Sequence, residues 1–368
     1  MSATVNVDVE ATTEGCRYCW MCRQACPVGH VTARETYTPH AWALSIESVK
    51  RGQLHWTPEV TDVLWACADC GLCQAHCVTD RPLPEAIVAT RTGVAARGEA
   101  VPAVRLVDEK LRAYANPYHP APPVSCGDKG ATALFVGDAG LHLGAAEVDA
   151  AVKLLTAAGR PVVQIGEGRS SGLLASSLGL RDTAAMLAGR VVDEVGRSGA
   201  TEVLVLGAGD RWTFEHVYPS RLGVTWPAGV IVRDVADVLA EAQLARRLSL
   251  GAVDAGPYAY VDPCHTARTG RSRPSPRALL RSVFGVTHAR ELFWREHRGH
   301  PCGSVGGLQF THPEIANRLS DARLEDGRAA GATWLVTDDP ACLHHLRARS
   351  AAGGVPVRGL YEVLAERL

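Results

Sequence analysis

Hydrophobic spacing divides the chain into two regimes. In the first hundred residues apolar positions recur at helical intervals. Trp42, Ile46 and Val49 share one helical face. Thr38-Pro39 before them supplies an N-cap and a proline at the first helical position, and Gly52 offers the stop. Thr57-Pro58-Glu59 opens a second helix with Val60, Val63 and Leu64 on one face. Pro82 and Pro84 then break the chain, and a third helix runs from Glu85 towards Arg97. Val104, Leu106, Val107 and Leu111 predict a short helix, followed by extended chain at Asn116-Pro117 and Pro120-Ala121-Pro122-Pro123.

From residue 131 onward short apolar runs alternate with helical patterns. Strands are predicted over 133–136, 161–165 and 201–206, and helices over 147–158 and 181–199. The order then returns, with strands at 258–261 and 334–337 and a helix opening at Ser275-Pro276. Such alternation predicts a parallel sheet covered by helices. The sequence GVIVRDVADVLAE from Gly229 is echoed by GVPVRGLYEVLAE from Gly354, and the Gly-rich stretch Gly166–Gly172 by Pro301–Gly307. Two copies make a pseudo-twofold domain, not a solenoid. The expected organisation is a helical domain over 1–100, a connector over 101–130, a first α/β repeat over 131–245 and a second over 246–368.

Composition adds exclusions. The 368 residues are 46% hydrophobic and 21% charged, as in an ordinary globular protein. A net charge of -1 gives no electrostatic reason to expect a nucleic-acid partner. No apolar stretch approaches ~18 residues, and Met1 to Glu10 lack the features of a signal peptide. The expectation is therefore a cytoplasmic protein, with any membrane association peripheral, at the inner face and through partners.

Eight of the twelve cysteines fall into two matching runs. One is Cys16-x2-Cys19-x2-Cys22-x3-Cys26 followed by Pro27, the other Cys67-x2-Cys70-x2-Cys73-x3-Cys77 followed by Val78. This is the ligand pattern of two [4Fe–4S] clusters. Short Cys-x2-Cys loops wrap three thiolates round one cluster, and the fourth comes from the other run. Cys16, Cys19, Cys22 and Cys77 are thus expected on one cluster, and Cys67, Cys70, Cys73 and Cys26 on the second. Zinc ribbons need only four thiolates per site, fewer than these full runs supply. Val78 in place of a proline alters the local turn and removes no ligand. The first domain is read as an α-helical dicluster ferredoxin, its apolar residues forming core and not a docking surface.

Of the remaining cysteines, Cys126 reads as a free loop thiol. The other three stand in the second repeat, in Asp262-Pro263-Cys264-His265, Pro301-Cys302-Gly303 and Asp338-Asp339-Pro340-Ala341-Cys342. In parallel α/β sheets such loops converge at one edge. The first repeat has no cysteine at the corresponding turns, so its site is read as having lost its ligands. Four readings of Cys264, Cys302 and Cys342 stay open. They are a third iron–sulfur cluster completed by His265, Asp339 or water, a Cys3His zinc site, a site without metal, and a redox-active thiol pair. His300, His344 and His345 are read as hydrogen-bonding residues. The basic run Arg268, Arg271, Arg273, Arg277 is read as a solvated loop.

With these motifs the chain resembles the iron–sulfur subunits that share a CCG-type cysteine-rich domain, among them those of glycolate oxidase, lactate-utilisation complexes, anaerobic glycerol-3-phosphate dehydrogenase and heterodisulfide reductase. The resemblance implies an α + α/β fold, in which an α-helical dicluster ferredoxin domain precedes a duplicated parallel α/β domain. Cys264, Cys302 and Cys342 match positions of the family's second CCG motif, with Pro301 where that motif has another cysteine. A five-cysteine non-cubane cluster cannot be assembled from this set. The lone Cys342 with Asp339 before it resembles the hydroxy-acid oxidase branch.

No Gly-x-Gly-x-x-Gly follows a strand, so any flavin is expected only in a partner. The resemblance implies a non-autonomous oxidoreductase subunit that relays electrons. The donor would be a flavoprotein dehydrogenase acting on a 2-hydroxy acid or polyol phosphate, and the acceptor a quinone, a membrane subunit or another carrier. The alternative is a heterodisulfide reductase-like subunit acting on thiols or disulfides at the C-terminal site.

Overall fold

A computed structural model describes residues 7–118, 129–268, 273–351 and 353–368. Cys126, Arg271 and the Pro120–Pro123 stretch lie outside them. In the N-terminal part helices span Pro39–Lys50, Pro58–Trp65 and Leu83–Ala96. The first two open on a proline and the third carries Pro84 at its second position, where a missing N–H costs nothing in the first turn. Thr57 caps the second helix by accepting from the Val60 N–H at 3.4 Å. Trp42, Ile46, Leu64, Trp65 and Ile87 are buried between these helices, and the Trp42 indole donates to the Val63 carbonyl at 2.8 Å. The connector helix is longer than its sequence suggested, Pro102–Tyr114, and buries Val104, Val107 and Leu111 while leaving Leu106 exposed.

The rest of the chain forms two four-stranded sheets, both entirely parallel. The first contains β1 (Thr132–Phe135), β2 (Val163–Ile165), β3 (Glu202–Val205) and β4 (Ile231–Asp234), in the order β2-β1-β3-β4. The second contains β5 (Tyr258–Tyr260), β6 (Ala289–Arg290), β7 (Trp334–Thr337) and β8 (Val357–Gly359), in the order β6-β5-β7-β8. The identical order bears out the duplication. The paired Gly-rich stretches also match in structure. Gly172 and Gly307 end them with left-handed backbone, φ 92° and 78°, directly before the short helices Leu173–Ser177 and Leu308–Thr311. Glycine takes that conformation without the steric cost a side chain would carry.

The repeats share a core. Val148, Leu154 and Leu155 of the first pack in one cluster with Leu360, Val363 and Leu364 of the second. Glu147, buried in this seam, accepts the Tyr361 and Glu362 backbone N–H groups at 2.9 Å each. The N-terminal domain docks on the first repeat through the Trp65 indole, which donates to the Leu178 carbonyl at 3.2 Å.

Three elements lacked a sequence signal. Strand β6 is only two residues long. The helix Thr213–Leu222 is wound in the wide π form with Pro219 inside it, a rare geometry. The helix Pro313–Ala329 carries a long polar face around Ile315, Ala316, Leu319 and Leu324.

The three described arginines of the basic run are not solvated. Arg268 meets Asp69 at 2.6 Å, Arg273 meets Asp338 at 2.8 Å, and Arg277 makes two 2.8 Å bonds to Asp262. All three side chains are at least nine-tenths covered. A buried guanidinium needs its donors met, and here carboxylates 15, 65 and 199 residues away meet them.

Candidate iron–sulfur centres and the cavity between the repeats

The eight N-terminal thiols form two quartets. Cys16, Cys19, Cys22 and Cys77 lie together along one small cavity of about 40 Å³. Cys26, Cys67, Cys70 and Cys73 line another. The structure thus brings each run's last cysteine beside the other run's first three. Tyr18 and Trp20 between the first ligands, and Asp69 between Cys67 and Cys70, hold left-handed backbone, φ 48°, 61° and 47°. Non-glycine residues rarely occupy this region, and here it curls the thiols inward. The Gly29 N–H donates to Cys26 Sγ and the Asp69 N–H to Cys67 Sγ, both at 3.4 Å.

The quartets differ in surroundings. Cys19 is exposed, as are the neighbouring Trp20, Met21 and Val78. Cys26, Cys67, Cys70 and Cys73 are all buried. Burial pushes the Cys22 thiol up to about 11 and Cys70 up to about 12, and drives Cys26 and Cys73 well above their ordinary value. Burial also pushes Cys77 upward, but the Thr79 hydroxyl and nearby backbone N–H groups outweigh it and lower the thiol. Buried thiols stay neutral unless a cation arrives, and iron provides one. Eight sulfur donors in two groups of four therefore fit two [4Fe–4S] clusters.

Beside the second quartet the charges are dense. Arg91 is fully buried, and its guanidinium donates only to carbonyls, those of Leu64, Cys67 and Ser177, at 2.6–3.2 Å. Asp69 accepts from Ser177, Arg221 and Arg268. Burial opposes its charge, yet the two guanidiniums hold its carboxyl well below the usual range. Arg221 and Arg268 both lie over the Trp212 ring, at 4.9 and 4.5 Å.

The C-terminal cysteines meet in a cavity of about 120 Å³. Cys264 follows β5, Cys302 stands in the Gly-rich turn, and Cys342 opens the helix Pro340–Ser350, its N–H bonded to Asp339 at 2.9 Å. Cys302 and Cys342 are joined as a disulfide. His265 and Asp339 line the cavity, whereas His300, His344 and His345 do not. His300 instead stacks on Trp294 at 3.9 Å. Burial, with Arg268 close by, pushes His265 down to about 3, so its ring is neutral.

Tyr118 of the connector and Asp138, Ser170, Ser171 and Asp210 of the first repeat face the same cavity. Sequence reasoning missed all five, because nothing local marks a lone Asp or Ser after a strand. The second quartet stands next door. A Cβ on Gly306 would lie 2.6 Å from the carbonyl of Ala68, between Cys67 and Cys70. The 302–307 turn therefore rests directly on the second cysteine run.

Helical thiol quartets followed by a duplicated parallel domain with a cysteine-lined cleft define an iron–sulfur protein with a cysteine-rich domain. Comparison with known families agrees. The pattern described as "4Fe-4S dicluster domain" matches residues 12–80, and "Cysteine-rich domain", of CCG type, matches residues 258–347. The chain thus combines a 4Fe-4S dicluster domain with a CCG cysteine-rich domain. It is similar to one subunit of the dihydromethanophenazine:CoB–CoM heterodisulfide reductase of Methanosarcina barkeri, at 26% identity over 84% of this chain and 79% of that protein. Over 32% of this chain and 25% of the other it is 26% identical to the probable glycolate oxidase iron–sulfur subunit of Bacillus subtilis. A crystal structure of a hypothetical protein from Helicobacter pylori shares the fold, with a TM-score of 0.61 at 9% identity over 98% of this chain and 76% of that one. Among the described residues no helix is long and apolar enough to cross a membrane.

Proposed function

We propose that the chain is the electron-relay subunit of an oxidoreductase complex, set between a flavoprotein dehydrogenase and a quinone or other carrier. The observation that carries this reading is the placement of the two quartets, one at the surface and one against the inter-repeat cavity. When bound, two [4Fe–4S] clusters supply one-electron chemistry. Cys16, Cys19, Cys22 and Cys77 would hold the outer one, and Cys26, Cys67, Cys70 and Cys73 the inner one. The exposed Trp20, Met21 and Val78 offer the flavoprotein a small apolar contact beside Cys19. The dehydrogenase substrate would be a 2-hydroxy acid or polyol phosphate, and the complex would be cytoplasmic, held at the membrane's inner face by partners. Cys264, Cys302 and Cys342, with His265 or Asp339, would hold a third cluster or zinc.

A second reading is favoured by the Cys302–Cys342 disulfide beside Cys264. A dithiol there would act on disulfides, each reduction breaking one S–S bond with two electrons and two protons. The two readings part in one experiment. Anaerobically purified protein is mixed with the copurified flavoprotein and its substrate, and separately with a small disulfide and an artificial reductant. Cluster reduction by the flavoprotein with its substrate, with no disulfide turnover in the second sample, supports the relay. Steady disulfide turnover without the flavoprotein overturns it in favour of the thiol reading.

A further inference from the structure

Strand register shows which residues of the two repeats correspond. The sequence echo equates Val232 with Val357. Val232 pairs with Val203, and Val357 with Leu335. Val203 pairs in turn with Ala133, and Leu335 with Ala259. Ala133 thus corresponds to Ala259 and Val203 to Leu335. Five residues beyond the first pair stand Asp138 and Cys264, and seven beyond the second stand Asp210 and Cys342. The helices that follow β3 and β7 begin at the matching residues Ala208 and Pro340, so the count is kept through the turn.

We infer that Asp138 and Asp210 are ligand positions of the first repeat, so that a metal centre in the cavity is gripped by Cys264, Cys302 and Cys342 on one side and by two carboxylates on the other. This rests on the reading that the C-terminal site holds a centre. It replaces a first repeat stripped of its site with one that has exchanged sulfur for oxygen.

The surroundings support it. Asp138, Asp210 and Asp339 all face the cavity, and among the described residues no Arg or Lys lines it. Asp138 Oδ1 accepts the Ala139 N–H at 2.9 Å, and among the described residues neither Asp138 nor Asp210 forms an ion pair. The buried His265, on the same wall, has no partner for its Nε2 among the described residues. Gly207, the counterpart of Asp339, makes room for it. A Cβ there would stand 2.5 Å from Asp339 Oδ2. Half-buried acids beside buried thiols, with no counter-charge among the described residues, are what a cationic occupant would neutralise. The space equals roughly four waters. Among the described residues no three such side chains stand close enough to close on a single ion. The occupant proposed is therefore a centre of several metal atoms, whose ligands stand further apart than those of a single ion. Loading requires the Cys302–Cys342 bond to be reduced by a thiol reductant, two electrons and two protons giving two thiols. The thiols and carboxyls then release protons to the solvent as the metal binds.

The test is anaerobic refolding of the full chain in the presence of iron, sulfide and dithiothreitol, read by iron and zinc content and by Mössbauer and EPR spectra. Four proteins are compared: the parent, Asp138→Asn/Asp210→Asn, Asp138→Cys/Asp210→Cys, and Cys264→Ser/Cys302→Ser/Cys342→Ser. The expected result is about twelve irons in the parent and about eight in the Asn and Ser variants. The Cys variant should keep about twelve, with an altered third spectrum. If the Ser variant loses iron and the Asn variant does not, the carboxylate assignment is wrong and the C-terminal centre stands. If the Ser variant also keeps the parent's metal content and spectra, the centre itself fails. Should the Asn variant not fold, as judged by circular dichroism and the N-terminal EPR signals, the Cys variant decides. A third spectrum identical to the parent's overturns the inference, and a changed one upholds it.

Discussion

The two cysteine quartets share a spacing and differ in nearly everything around it. The outer one borders solvent through Cys19 beside exposed apolar side chains, with Arg17 and Arg81 along its cavity. The inner one is sealed and faces a buried guanidinium that, among the described residues, hydrogen-bonds carbonyls and no carboxylate, with Asp69 near enough to act on it. The motif therefore specifies what is bound, while the environment sets how readily an electron enters. A cluster with four thiolates is anionic, and each added electron deepens that charge. A buried cation beside it favours the reduced form, so the inner cluster is expected at the higher potential. Solvent exposure also tunes the outer one, which makes the difference measurable and not merely formal.

The largest effect should come from breaking the cross-over. Cys77→Ser is expected to remove about four irons and the outer cluster's spectrum, and Cys26→Ser the inner cluster's. EPR on both variants tells these apart. If each substitution damaged the cluster of its own run, the pairing described here would be wrong. Next in size is Arg91→Gln, which removes the buried charge but keeps some donors for the three carbonyls. The inner cluster's midpoint potential should fall by tens of millivolts, on the scale of one charge in a medium of effective dielectric about 20. The outer cluster should barely move. Redox titration followed by EPR checks this, and equal shifts in both clusters would erase the proposed asymmetry.

The smallest effect concerns the seam between the repeats. Burial pushes Glu147 up to about 8 from an ordinary 4.5, against the pull of two backbone N–H groups and with the acidic Glu362 and Asp338 nearby. A folded-state value above the unfolded one means that its stabilising contribution is complete below about 4.5 and is lost as pH rises through about 8. Denaturant unfolding should show the parent losing stability relative to Glu147→Gln across that window. A constant difference between the two proteins would show that Glu147 does not titrate there.

Much of this was legible in sequence. Cysteine spacing carries ligand chemistry directly, and apolar runs such as Ala133–Val136 and Trp334–Thr337 mark buried strands because both sheet faces are covered. The duplicated stretch ending at Glu241 and Glu366 exposed the pseudo-twofold arrangement. What escaped was set by distant contacts. Arg268 reads as a solvent charge until it meets Asp69, 199 residues away in the chain. Strand β6 is too short for any period, and a proline inside Thr213–Leu222 argues locally against a helix. Asp138 and Asp210 gain meaning only when strand register aligns them with Cys264 and Cys342.

The turn at Gly306, resting on Ala68, also constrains the order of manufacture. With the Leu178 carbonyl held by Trp65, Ser177 bound by Arg91 and Asp69, and Arg268 closing on the same carboxylate, the inner quartet has walls from three parts of the chain. Iron and sulfide have to reach Cys26, Cys67, Cys70 and Cys73 before those walls meet. The outer quartet can be filled, emptied and repaired in the finished protein. The inner one belongs to its birth.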